Sequence, residues 1–212
     1  MKKLFFITAA FVGMLFLASC GNCDDPTPPP TPSYLEVLKA DVNTVLAAYP
    51  EFKKPGDVEY PYGYFREADY VLNGFVSDLP VDELKAVSVV YGFAYNTPGT
   101  EAGLHIVEAT RDLTKGLDAG MTYQTYDGPG YPQDVNIIEN LDKIITLEHA
   151  LKNLKESNVI IPKTKKVSLC FPEGPLFDKT IVYRFGLTSS EDEFMVFVNA
   201  ETGEVKTAPT GN

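Results

Sequence analysis

An apolar run at the N-terminus, residues 4–17, limits how much of this chain can belong to a folded domain. It follows two lysines and ends at two small residues. A positive start, a short apolar stretch and a small-residue boundary are typical of an export signal. The run is also shorter than the roughly 20 residues that a membrane-spanning helix needs. We therefore predict that residues 1–19 are removed and that residues 20–212 form the mature protein.

The end of the signal resembles the lipobox of bacterial lipoproteins. The residues that carry the resemblance are Leu17-Ala18-Ser19-Cys20. The resemblance implies cleavage before Cys20 and attachment of lipid to Cys20, which becomes the N-terminus. The expected location is the cell envelope, with the outer membrane favoured and the lipid as the contact to the membrane; exposure on the cell surface and a location inside the envelope both stay open.

A proline-rich segment, residues 20–33, follows the lipidation motif and is predicted to be a tether. Proline favours an extended conformation, so this segment spans roughly 40 Å. Asp24 and Asp25 resemble acidic surface-export signals, and an ordinary solvated linker explains them equally well. Cys23 could pair with Cys170 after export, but two unpaired cysteines are the favoured interpretation.

The chain is acidic, with a formal net charge of −11. Loss of the two signal lysines makes the mature chain more acidic still. Nucleic-acid binding needs a basic patch, so no nucleic-acid partner is expected. The chain holds 12 Tyr and 13 Phe but no Trp, and many of these rings must lie in a core.

The first half of the mature chain shows a helix followed by strands. Ser33 and Glu36 fit a capping box at the start of an amphipathic helix over residues 34–49. A weaker pattern predicts a second helix from Glu67 to Val76. Alternating apolar residues predict a hairpin over residues 87–110. A third strand lies near residues 121–126, and the glycine- and proline-rich segment from Asp127 to Pro132 is a candidate domain boundary.

The second half repeats this order. Thr146 is placed to cap a helix in which Leu147, Ala150, Leu151 and Leu154 share one face. Three strands are predicted after it, over Val167–Phe171, Thr180–Leu187 and Glu193–Asn199. A turn from Ala200 to Glu204 leads to a short last strand.

This α-β-β-β unit resembles the PepSY domain over residues 140–207. The resemblance lies in Ile145-Thr146-Leu147-Glu148-His149-Ala150-Leu151, in Ile181-Val182-Tyr183-Arg184-Phe185 and in Phe197-Val198-Asn199-Ala200-Glu201-Thr202-Gly203-Glu204-Val205. The family usually has Asp where this chain has Asn199. The resemblance implies a domain of the kind associated with peptidase propeptides and with inhibitory or regulatory roles. The similar order of elements upstream hints at a tandem copy, as in PepSY-like and β-lactamase-inhibitor-like proteins.

The predicted fold class is α+β, with antiparallel sheets that carry helices on one face. The expected organisation is a signal peptide over residues 1–19, a lipidated tether over 20–33, an N-terminal α+β region over 34–132 and a PepSY-like domain over 140–208.

No motif for catalysis, metal binding or cofactor binding stands out. His105 and His149 lack partners at metal-ligand spacing such as HExxH. Cys170 matches no cysteine-hydrolase signature, and no nucleophile elbow or phosphate-binding glycine loop is present. Glu191-Asp192-Glu193 lacks the spacing of a calcium loop and is interpreted as a charged hairpin tip. We therefore predict no enzyme, no metal and no cofactor.

Two groups of tyrosines are the candidate partner-binding residues. Exposed tyrosine often anchors interfaces and also stacks on sugar rings, although rings at the edge of a small core explain the pattern too. The six residues are Tyr60, Tyr62, Tyr64, Tyr123, Tyr126 and Tyr131.

These observations favour a non-enzymatic envelope lipoprotein that binds or regulates a protein, with a peptidase or another envelope protein as the expected partner. The alternative is an accessory surface protein that binds glycan or peptide for uptake. An envelope hydrolase is the least favoured interpretation, because it would need a pair of carboxylates or a Cys–His pair to converge in space.

Overall fold

Two α-helices, two short 3-10 helices and eight strands lie in the part of the chain that the computed structural model describes. That part comprises residues 32–49, 63–96, 104–116, 119–127, 138, 140–172, 180–186 and 194–209. The helices are α1 (Tyr34–Ala48) and α2 (Leu147–Glu156), and the strands are β1 (Gly63–Leu72), β2 (Ala86–Asn96), β3 (Leu104–Asp112), β4 (Thr122–Asp127), β5 (Lys166–Cys170), β6 (Val182–Phe185), β7 (Phe194–Asn199) and β8 (Val205–Pro209).

The chain divides into two units, residues 1–31 and 32–212, and every described residue belongs to the second. The predicted signal peptide, Cys20, Cys23 and all but the last two residues of the predicted tether lie outside the described residues. Of the helices that are described, none is long and apolar enough to span a membrane.

Helix α1 begins at the predicted capping box. The Ser33 hydroxyl accepts a hydrogen bond from the Glu36 backbone N–H at 3.3 Å, and the Glu36 carboxylate accepts one from the Ser33 N–H at 2.7 Å. Two backbone donors that the first helical turn leaves unpaired are satisfied in this way. The predicted helix over residues 34–49 is therefore confirmed to within one residue.

Helix α2 begins as predicted at Thr146. The hydroxyl of Thr146 accepts a hydrogen bond from the His149 backbone N–H at 3.2 Å. The four apolar residues expected on one face, Leu147, Ala150, Leu151 and Leu154, are all buried.

The eight described strands form one antiparallel sheet, in the order β4-β3-β2-β1-β5-β6-β7-β8. Strands β1 and β5 pair in the middle, with Ala68 opposite Leu169 and Tyr70 opposite Val167. The prediction of an antiparallel α+β fold is confirmed. The prediction of more than one sheet is wrong, because β1 pairs with β5 and joins all eight strands into one sheet. This pairing satisfies the backbone groups that two sheet edges would otherwise expose.

The predicted helix from Glu67 to Val76 is wrong, because most of this segment belongs to strand β1. The register of β1 against β2 shifts between Phe65 and Glu67, which marks a β-bulge. The bulge places the buried residues Phe65 and Ala68 three positions apart, a spacing typical of a helix. Beyond the bulge, burial alternates strictly at Ala68, Tyr70 and Leu72, as in a half-buried strand.

Both helices pack against the same face of the sheet. Apolar residues of α1, of α2 and of all the central strands form a single buried cluster. Its members include Leu38, Val42 and Val45 from α1, Leu147, Leu151 and Leu154 from α2, and Phe65, Tyr70, Val89, Tyr91, Phe93, Val107, Val167, Leu169, Tyr183, Phe185, Val196 and Val198 from the sheet. The opposite side of the sheet is called the second face below.

The turn between β7 and β8 has the predicted chemistry. The Asn199 side-chain oxygen accepts hydrogen bonds from the backbone N–H groups of Glu201 and Thr202, each at 2.8 Å. Gly203 has a φ of +77°, a conformation that side chains rarely adopt. The hairpin over residues 87–110 and the strands near residues 121–126 and 167–199 are likewise confirmed within a few residues.

Candidate binding surface

The structure describes the side chains of two of the six candidate tyrosines. Tyr123 and Tyr126 lie on β4 and expose 39% and 46% of their surface. The backbone of Tyr64 lies in β1 opposite Ala94. The other three, Tyr60, Tyr62 and Tyr131, lie outside the described residues.

Tyr123 and Tyr126 lie on opposite faces of the sheet, because residues three apart in a strand point to opposite sides. Tyr123 is on the helix side, where its ring centre lies 5.8 Å from that of Tyr49 at the end of α1. Tyr126 is on the second face. The two described tyrosines therefore do not form one patch, and partner binding by any of the six stays a prediction.

A row of polar residues crosses the second face beside Tyr126. The register pairs Glu67 with Gly92, Gly92 with Glu108 and Glu108 with Gln124 across strands β1 to β4. Directly opposite residues in antiparallel strands have neighbouring side chains on the same face. These four residues are called the acidic row below.

Gly92 leaves room for the side chain of Glu67 in this row. A Cβ atom at Gly92 would lie 2.9 Å from Cγ and 3.1 Å from Oε1 of Glu67. The carboxylate of Glu67 can therefore lie across the backbone of β2. A glycine inside a strand often marks such a close approach.

Burial raises the pKa of the Glu67 carboxyl. The negative charges of Asp69 and Glu108 raise this pKa further, while the positive charges of Arg66 and Arg184 lower it. Two acidic and two basic side chains thus influence Glu67, so the five groups together hold one more negative than positive charge when Glu67 is ionised.

Tyr126 and Glu108 form a short polar contact on this surface. The Tyr126 hydroxyl donates a hydrogen bond to Oε1 of Glu108 at 2.6 Å. This bond raises the pKa of Tyr126 to about 12, because loss of the phenol proton would place two negative charges side by side. The bond holds the half-exposed ring in place over the acidic row.

A second polar row continues the surface across β1, β5 and β6. Asp69 pairs with Ser168, and Ser168 pairs with Arg184. The Arg184 guanidinium donates a hydrogen bond from Nη2 to the Ser168 hydroxyl at 3.3 Å. Its Nε is buried and has no hydrogen-bond partner among the described residues.

Apolar residues occupy the second face beyond Arg184. Val182, Phe197 and Ala208 are buried there and pack with Met195. The second face therefore changes character along the sheet, from carboxylates over β1 to β3 to an apolar cluster over β6 to β8. This arrangement can offer hydrogen-bond acceptors, a phenol ring and guanidinium groups to a ligand.

The histidines and Cys170 are the residues that the sequence offered as possible metal ligands or nucleophiles. In the described part of the chain, no group of three or more His, Cys, Asp or Glu side chains could hold a metal ion. His149 is exposed in the first turn of α2, and the backbone of His105 lies in β3 opposite Tyr95. Cys170 is buried in β5, and because Cys23 lies outside the described residues, the absence of a disulfide between the two stays a prediction.

The sequence patterns do not indicate that Glu67, Glu108 and Arg184 lie on one surface. The pattern over residues 67–76 predicts a helix, and a helix gives no reason to place Glu67 opposite Gly92. The available signal was Gly92 itself, because a glycine between the apolar residues of a strand suggests that another group approaches the backbone.

Comparison with known proteins identifies no relative: no family model matches the chain, and no curated protein or solved structure is significantly similar to it.

Proposed function

We propose that this chain is a lipid-anchored protein of the cell envelope that binds another protein through the acidic row and Tyr126, without catalysing a reaction. The observation that carries the proposal is the Glu67–Gly92–Glu108 arrangement, in which a glycine makes room for a half-buried carboxylate beside a second one. The exposed ring of Tyr126, held by Glu108, adds an aromatic contact of the kind that anchors interfaces.

The partner surface is proposed to be basic. The protein has a formal net charge of −11, and the acidic row places two carboxylates, those of Glu67 and Glu108, on the second face. Complementary charge accelerates association and discriminates against acidic partners. Lysine or arginine side chains of a partner would lie against Glu67 and Glu108.

A peptidase is the proposed partner class, on the strength of the PepSY resemblance over residues 140–207. The order of elements supports a divergent tandem copy: α1 is followed by β1 to β4, and α2 is followed by β5 to β8. The two sets meet at the β1–β5 pair in the middle of the sheet. We infer that the second copy, over residues 34–132, supplies the acidic row.

The test measures inhibition of secreted peptidases from the same organism, each purified and assayed separately. Wild-type protein is compared with the double variant Glu67→Gln/Glu108→Gln. The control is Glu83→Gln/Glu201→Gln, which removes the same charge from two exposed positions outside the row. We expect inhibition or complex formation with at least one enzyme, weakened at least tenfold in the row variant and unchanged in the control.

Two results would overturn the proposal. One is the absence of any inhibited or bound peptidase across the set. The other is equal binding by the row variant and the wild type, because the acidic row would then have no part in recognition.

Glycan binding is the second candidate function, and the exposure of Tyr126 favours it. A phenol ring with 46% of its surface exposed can stack on the face of a sugar. In affinity gels that contain polysaccharide, the wild type should migrate more slowly than in a gel without polysaccharide, and Tyr126→Ala should migrate at the same rate in both gels. Equal mobility of the two proteins in every gel would eliminate this candidate.

A further inference from the structure

Strand β4 forms one end of the sheet. It pairs with β3 on one side, and no described strand lies on its other side. All five residues from Thr122 to Tyr126 are exposed. A strand in this position presents a row of unpaired backbone N–H and C=O groups, which can pair with another strand.

The two ends of the sheet are built differently. At the far end, β8 contains Lys206 and ends at Pro209. Lysine and proline on an edge strand are devices that prevent pairing with other chains. Strand β4, with the sequence TYQTYD, contains neither. Its one charged residue, Asp127, stands at its end, so among the described residues the edge at β4 carries fewer of these devices than the edge at β8.

We propose that β4 accepts an extended segment of a partner protein as a ninth strand of the sheet, and that this segment carries basic side chains at alternate positions. The proposal rests on the proposed function, since it describes how the basic partner is held. Backbone hydrogen bonds would supply affinity, and side chains on alternate sides would supply specificity.

Basic side chains of the added strand are expected at the positions that face the same side of the sheet as the acidic row. These are the positions opposite Gln124 and Tyr126, whose side chains would lie on the second face. Strands are spaced about 4.8 Å apart, so the added strand would be about 10 Å from β3 and its residue Glu108. A lysine or arginine side chain is long enough to reach the Glu108 carboxylate across β4.

On the helix side of the sheet, apolar side chains of the added strand are expected instead of basic ones. Side chains opposite Tyr123 would lie close to the ring pair that Tyr123 makes with Tyr49. Aromatic and β-branched cross-strand pairs stabilise sheets, so an apolar residue is favoured there. The preferred segment therefore alternates basic and apolar residues.

A second copy of the chain fits this edge poorly. Pairing β4 with β4 of another copy would bring two acidic rows together. It would also join two proteins that each carry a formal net charge of −11. Like charges placed opposite each other across a sheet are destabilising, so a basic foreign segment is favoured over self-association.

In the experiment, two synthetic octapeptides are titrated separately into the mature chain, residues 20–212. The chain carries Cys20→Ser, which prevents lipidation. One peptide alternates Lys and Val, and the other alternates Glu and Val. We expect calorimetric titration to show that the Lys/Val peptide binds at least tenfold more tightly. Hydrogen exchange should slow at backbone amides of β4. Equal affinities, or binding that leaves exchange in β4 unchanged, would overturn the proposal.

Two proline variants test the backbone contact. Neighbouring amides in a strand point to opposite sides, so of Gln124→Pro and Thr125→Pro one removes an outward N–H and the other removes a bond to β3. The variant that keeps the wild-type Tm identifies the outward amide, and it should weaken binding of the Lys/Val peptide at least tenfold. Unchanged binding by that variant would overturn the proposal.

A third variant decides the case in which both prolines lower the Tm. Gln124→Lys keeps the backbone intact and places a positive charge beside Glu108. It should weaken binding of the Lys/Val peptide at least tenfold, and unchanged binding would contradict the proposed charge contact.

Failure of this inference can be told apart from failure of the proposed function. If a peptidase binds through Glu67 and Glu108 but binds equally well to the outward proline variant, only the ninth strand is refuted. If no peptidase binds, while the Lys/Val peptide binds and protects β4, the peptidase partner is refuted and the edge contact remains.

Discussion

Arg111 on β3 and Asp41 on α1 form a buried bidentate ion pair. The distances are 2.5 Å from Nε to Oδ2 and 2.6 Å from Nη2 to Oδ1. Tyr91 donates a further hydrogen bond to the same carboxylate at 2.8 Å. The side chain of Arg111 also donates to the Ala119 carbonyl, so one guanidinium ties α1 to β3 and to the chain before β4.

Replacing Asp41 with Ala should strongly destabilise the fold. The change removes the carboxylate that compensates the buried guanidinium charge of Arg111, and such a loss costs about 3–5 kcal/mol. The free energy of unfolding, measured by urea denaturation, should fall by this amount.

The double variant Asp41→Leu/Arg111→Met is the matched control. It replaces both charges with apolar side chains, so it should recover much of the lost stability. A double variant that is less stable than Asp41→Ala would contradict the view that the uncompensated charge is the main cost.

The Tyr126–Glu108 hydrogen bond predicts a change of stability at high pH. The bond raises the pKa of Tyr126 in the folded state from 10.0 to about 12. A group with a raised pKa contributes stability that is complete below its unfolded pKa and is lost as pH rises through the folded value. The contribution of this bond should therefore disappear between about pH 10 and pH 12.

Ultraviolet difference spectra of wild type and Tyr126→Phe isolate the titration of this tyrosine from that of the others. In Glu108→Gln the pKa of Tyr126 should move back towards 10.0. An unchanged titration in this variant would show that Glu108 is not the cause of the shift.

Local patterns were sufficient to predict the two helices and most of the strands. Ser33 with Glu36, and Thr146 with the apolar face behind it, mark helix starts through contacts within one turn. The hairpin formed by β2 and β3 follows from alternation and a short connection. In each case the information lies within a few residues along the chain.

Contacts between distant parts of the chain could not be predicted in this way. The pairing of Ala68 with Leu169 joins residues about a hundred positions apart, and no local pattern encodes it. The bulge at Phe65 and Glu67 imitates helical spacing, which hid β1. The acidic row depends on both features, because the place of Glu67 follows from the register of β1.

Replacing Gly203 with Ala should destabilise the turn between β7 and β8. The φ of +77° disfavours any side chain by about 1–2 kcal/mol. A Cβ atom there would also lie 2.2 Å from Nδ2 of Asn153 on α2, an impossible contact. That amide donates to the Gly203 carbonyl at 3.1 Å, so the alanine would also disturb a tie between α2 and the sheet.

Thermal unfolding of a double-mutant cycle separates the two effects. Asn153→Ala alone should cost about 1 kcal/mol through the lost hydrogen bond. Gly203→Ala should cost less in the Asn153→Ala background than in the wild type, because the steric conflict is gone. Strictly additive costs would indicate that the backbone conformation alone makes glycine necessary at residue 203.

Replacing Cys20 with Ser should abolish lipid attachment, if the lipobox resemblance of Leu17-Ala18-Ser19-Cys20 is correct. Burial of acyl chains contributes about 0.8 kcal/mol per CH₂, and stable anchoring needs more than one chain. We expect wild-type protein to incorporate labelled palmitate and to sediment with membranes, and the variant to incorporate none. Cys23→Ser is the matched control and should behave as the wild type. Wild-type protein without label would refute lipidation, whereas label lost in Cys23→Ser but kept in Cys20→Ser would assign the modification to the other cysteine.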